Sequence, residues 1–81
     1  MARPAKHAAN TPALGAFGMA VRDIRKSKGL SQEALADLAE IDRSYMGGIE
    51  RGEHNLALIN IQRIANALNS TVSELMAHAN L

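Results

Sequence analysis

Between Gly29 and Gly52 lie two short amphipathic segments separated by only Glu40, Ile41 and Asp42. Three residues allow nothing but a sharp turn, so this stretch reads as a tightly joined helix pair. Such a pair is too small to bury its own apolar faces. The rest of the chain must supply the missing walls, and this requirement governs how the flanking sequence is read.

The flanks do read as helices. Thr11 and Pro12 form a start signal, an N-cap followed by proline at the first helical position. Leu14, Phe17, Val21 and Ile24 then recur at helical spacing, and Gly29 closes the segment behind Lys26 and Lys28. Ser31 caps the second helix, with Glu33 in its first turn and Leu35, Ala36, Leu38 and Ala39 along it. Its two alanines permit close approach of a neighbour. Asp42 caps a third helix with Met46 and Ile49 inward, stopped by Gly52. Leu58, Ile61, Ile64, Ala65 and Leu68 mark a fourth helix that ends near Asn69. Thr71 with Glu74 makes a capping box for a fifth, carrying Val72, Leu75 and Met76. The spacing predicts helices near 12–28, 32–39, 43–51, 58–68 and 72–78. Residues 1–10 are small, polar and aperiodic and read as a flexible N-terminal arm. Residues 11–81 read as a single compact all-α domain of five helices.

Composition narrows the function classes. Aromatic residues are confined to Phe17 and Tyr45, so the core must be aliphatic. The absence of cysteine removes disulfides and thiolate metal sites and fits a reducing cytosol. His7, His54 and His78 are too far apart in sequence to suggest a metal site. No acid pair, nucleophile–base set or phosphate-cradling loop emerges, so the chain reads as a non-enzyme with no metal, cofactor or small-molecule ligand. No apolar run approaches the ~18 residues of a membrane span. The net charge is only +1, but six of nine Lys/Arg fall in residues 1–30, and seven of eight acids follow residue 30. That asymmetry alone favours a solvated helix face, so a nucleic-acid partner must be argued from the motif.

The outward residues of the third helix, Arg43, Ser44, Gly47, Gly48 and Arg51, are polar or small, and a helix of that girth enters a DNA major groove. Here the chain resembles the Cro/repressor-like (XRE) helix-turn-helix family. The resemblance rests on Arg22-x-x-Arg25, Gly29-Leu30-Ser31-Gln32-Glu33, Leu35-Ala36, Tyr45-Met46, Ile49-Glu50-Arg51-Gly52 and Asn55, across about residues 14–76. Ile41-Asp42-Arg43-Ser44-Tyr45-Met46-x-Gly48-Ile49-Glu50-Arg51 is most similar to the controller proteins of restriction–modification systems. The resemblance implies a lambda-repressor-like domain in a bacterial cytoplasm. It also implies a homodimer on a two-fold operator of double-stranded DNA, with RNA polymerase as a further partner.

By the same resemblance, Arg43, Ser44, Gly47 and His54 stand where base contacts are made. Arg25, Gln32, Tyr45, Arg51 and Asn55 stand where the phosphate backbone is contacted. Arg25 and Glu50 match a charge pair tying the first helix to the recognition helix. Residues 58–81 carry only two charged side chains, Arg63 and Glu74, so the dimer contact is expected around Ile59, Arg63, Leu75 and Met76. Four positions depart from the pattern. Gly47 replaces a serine, His54 an arginine, Glu40 a turn glycine or asparagine, and Ala57 the Ser/Thr cap of the fourth helix. Plainer roles stay open: Arg51 can complement the helix dipole, Ser44 can meet phosphate as well as base, and the neutral face can be core. A phage-type repressor, an antitoxin, or an interaction module of the same fold without DNA binding remain alternatives.

Overall fold

The computed structural model describes residues 11–81, so the expected N-terminal arm lies outside the described residues. Five helices follow in order: α1 Pro12–Ser27, α2 Gln32–Ala39, α3 Arg43–Glu50, α4 Leu58–Ala67 and α5 Val72–His78. They start where the sequence places them and end within a residue of the expected bounds. Thr11, Ser31, Asp42 and Thr71 each accept a backbone N–H from the residue three positions on. Thr71 and Glu74 complete their reciprocal capping box. Ala57, lacking an acceptor, leaves α4 without a side-chain cap.

All five helices end in the same way. Gly29, Glu40, Gly52, Asn69 and Asn80 each take a positive φ. In each case the following N–H reaches back to a carbonyl five residues earlier, from Leu30 to Arg25 through to Leu81 to Met76. This closure satisfies carbonyls that the helix leaves open, and it needs a left-handed residue. Glu40 therefore adopts φ 58 at the position where a turn glycine or asparagine is usual.

The helices close around Phe17, Val21, Leu35, Met46, Ile49, Ile64, Leu68 and Leu75, all buried. α1 packs on α3 and α5, α2 on α3 and α4, and α4 on α5. Ala36 and Ala39 are buried in α2, as a close approach requires. Two expectations need correction. Leu38 and Leu58 lie largely in solvent rather than in the core, because the helices they sit on turn those positions away from every neighbour. Leu75 is 0% exposed. It belongs to the core of its own chain and cannot meet a second one.

Two glycines, Gly18 in α1 and Gly52 after α3, let the end of α3 approach α1. A Cβ on Gly18 would lie 2.6 Å from the Glu50 carbonyl oxygen, and one on Gly52 would lie 2.8 Å from the Gly15 Cα. The C-terminal end of α3 thus rests against bare α1 backbone.

Candidate nucleic-acid interface

α3 is anchored at its C-terminal end by one buried network. Arg25 donates from Nε to Glu50 Oε2 at 2.7 Å and from Nη2 to Glu50 Oε1 at 3.0 Å. Its Nη1 donates to the Leu30 carbonyl at 2.9 Å. Gln32 Nε2 donates to Glu50 Oε1 at 3.0 Å. The Glu50 carboxylate therefore ties α3 to α1 and α2, and Arg25 adds the turn after α1. Both charges are buried, and the forked guanidinium answers both carboxylate oxygens, the geometry a buried pair needs.

This network revises two expected roles. Arg25 forms the expected pair with Glu50, but its guanidinium is buried and turned onto Glu50 and Leu30. A phosphate contact by the same side chain does not fit that placement. Gln32 is half-buried with its amide nitrogen on Glu50, so its phosphate role is limited to the part of the amide that this bond leaves free.

The N-terminal end of α3 is open. Arg43 and Ser44 are exposed beyond the Asp42 cap. Further along, Gly47 and Gly48, read either as an outward face or as a place of close approach to DNA or to α2, are buried. A Cβ on Gly47 would stand 3.1 Å from Arg51 Nη1 and 3.3 Å from Gln32 Oε1. A Cβ on Gly48 would stand 2.6 Å from His54 Cδ2. Side chains from the helix end, from α2 and from the following loop thus lie over the two glycines. Gly47 is covered by Arg51 and Gln32 rather than offering its backbone to a base edge. The His54 ring lies over Gly48 and stacks on Tyr45, centroids 4.2 Å apart and planes inclined by 17°.

Arg51 and Glu53 form a two-point ion pair on the surface, Nε to Oε2 at 2.8 Å and Nη2 to Oε1 at 3.1 Å. The guanidinium's hydrogen bonds hold the Glu53 carboxyl below the usual carboxylate range and raise Arg51 further above its own. Asn55 is exposed two residues on, and Arg22, Lys26 and Lys28 are exposed along the end of α1. The structure thus gathers Gln32, Gly47 and Arg51 into one patch and Tyr45, Gly48 and His54 into another, behind Arg43 and Ser44. Ile59 is 55% exposed, Arg63 is exposed and Met76 is half-buried.

Sequence reasoning missed three features: Gly18, the Gln32–Glu50 bond and the Glu53 partner of Arg51. Only the first left a signal. Gly18 sits inside a helix at a cost of about 1 kcal/mol against alanine, a cost that points to close backbone approach.

Comparison with known proteins places the chain in a family. Residues 21–75 match the helix-turn-helix family. The control protein C.MunI of Mycoplasma sp is 40% identical over 62 residues, covering 75% of this chain and 84% of that protein. The control protein C.BamHI of Bacillus amyloliquefaciens is 44% identical over 61 residues, covering 74% and 75%. Among solved structures, the restriction–modification controller protein C.AhdI from Aeromonas hydrophila superposes with a TM-score of 0.78 at 49% identity. That match covers 80% of this chain and 98% of the other.

Proposed function

Since the chain belongs to the helix-turn-helix family, we propose that it is a sequence-specific DNA-binding regulator of transcription, a restriction–modification controller acting as a homodimer on a two-fold operator. The observation that carries this reading is the open N-terminal end of α3. Arg43 and Ser44 are exposed there, while Met46, Ile49 and the Arg25–Glu50 network hold the rest of the helix rigidly to the body. That is the part of a recognition helix that reaches base edges. Arg43 has the fork that matches guanine O6 and N7, a contact worth about 1–3 kcal/mol of discrimination.

Tyr45, Asn55 and Arg51, with the free part of the Gln32 amide, supply phosphate contacts that set register without reading sequence. His54, seated on Tyr45, stands behind Arg43 as a second candidate for a base contact. Similarity to C.AhdI and C.BamHI favours the controller role. That role implies neighbouring methyltransferase and endonuclease genes, and an encounter with RNA polymerase at the promoter.

Binding of labelled DNA from upstream of its own gene, against a scrambled duplex, tests the reading. Arg43→Ala is expected to collapse the preference for the upstream DNA while leaving scrambled-duplex binding nearly intact. Equal affinity of the unaltered protein for both duplexes would sink it.

A further inference from the structure

Arg51 follows α3 with a side chain that is 61% exposed, yet Glu53 already engages its guanidinium at two points. The third nitrogen, Nη1, lies over Gly47 beside Gln32 Oε1, on the surface behind Arg43. Gly47 leaves room for it there: a Cβ would stand 3.1 Å from Nη1. A carboxylate gripping the Nε–Nη2 edge of an arginine fork occupies a position and geometry that a phosphate takes. Glu53 also adds a negative charge to a surface that must approach a polyanion. Neither the fold nor the buried network calls for this carboxylate, since the pair is solvent-exposed and bridges residues two apart in sequence. An exposed pair of this kind contributes little to stability.

We propose that Glu53 is a built-in phosphate surrogate: it holds Arg51 across the recognition face and must be displaced by the DNA backbone, so that it lowers affinity for DNA of every sequence. This rests on the reading of α3 as the DNA-facing helix. An arriving phosphate exchanges one anion for another on Arg51, which lessens the gain from that contact and the number of counterions released. Glu53 thereby sets how long the protein lingers on non-specific DNA, while sequence preference stays with Arg43.

The test is a double-mutant cycle on fluorescence-anisotropy titrations, using one short mixed-sequence duplex and one duplex from upstream of the gene, each over a range of salt. Glu53→Gln is expected to tighten binding to both duplexes by a similar factor, about 3- to 5-fold. It should also steepen the salt dependence by up to about 0.9 in log–log slope. In an Arg51→Gln background the same change should have less than half the effect. If Glu53→Gln tightens binding equally in both backgrounds, Glu53 acts by plain repulsion and the proposal is wrong. Weaker binding by Glu53→Gln would make Glu53 a support for Arg51 instead, and also overturns it. If the unaltered protein binds neither duplex at low salt, the DNA-binding reading itself falls.

Discussion

At the scale of single residues, glycine and arginine decide most of what this molecule can do. Gly18 exists to let α1 backbone meet the carbonyls that end α3. The obstacle to a side chain there is backbone, which cannot rotate away. Gly18→Ala is expected to lower stability by about 1–3 kcal/mol, despite alanine's better helix propensity. Thermal melting checks this, and an unchanged or raised melting temperature would contradict the close approach. Glu40 shows the reverse case: a non-glycine residue accepts a left-handed conformation, φ 58, costing about 1–2 kcal/mol, and the Ile41 N–H then closes α2 on the Ala36 carbonyl. The arginines divide by burial rather than by charge. Arg25 is structural because it is enclosed, whereas Arg43 and Arg51 are available because they are not.

At the scale of elements, the helices are held by their ends. Glu50 links α3 to α1 and α2, so Glu50→Ala leaves a buried guanidinium without its anion. The expected loss is about 3–5 kcal/mol, large against the total stability of so small a domain. Denaturant unfolding checks it, and a loss under about 1 kcal/mol would mean that the pair opens readily to solvent. The capping box of α5 has a pH signature. The Glu74 carboxyl accepts first from the Thr71 backbone N–H and then from the Ser70 hydroxyl, which lowers its pKa below the ordinary 4.5. A lowered folded-state pKa means stability that is present above the ordinary value and lost as pH falls through the folded one. The unaltered protein should therefore lose melting temperature below about pH 4.5 more steeply than Glu74→Gln does. Parallel acid profiles for the two would remove the box as the cause.

At the scale of the whole molecule, the core uses most of the apolar side chains but leaves Leu58 and Ile59 exposed at the start of α4, with Arg63 one turn further on. A homodimer joined there, with recognition helices about one DNA turn or 34 Å apart, makes stability depend on concentration. Ile59→Asp is expected to give a monomer by light scattering and a melting temperature that no longer rises with protein concentration. It should also weaken operator binding far more than any single phosphate contact does. A dimer that survives this change would move the interface away from α4. Leu75 has no part in it, being consumed by the core.

What the sequence determined by itself was local and periodic. Helix spacing, four side-chain caps, the three-residue turn and the stops at Gly29 and Gly52 are written within a few residues of where they act, so five helices and the exposed Arg43 and Ser44 were legible. The Arg25–Glu50 pair was legible only through family resemblance, since its partners stand 25 positions apart. Tertiary structure alone decided which way ambiguous side chains turned. Leu38 and Leu75 are both leucines on apolar helix faces, yet one lies in solvent and the other in the core, because the placement of neighbouring helices is not encoded in either helix's own period. Gly47 and Gly48 read as open because they lack side chains. They are covered because Gln32, Arg51 and His54, brought in by α2, the end of α3 and the loop beyond it, fill the space that the missing Cβ atoms leave.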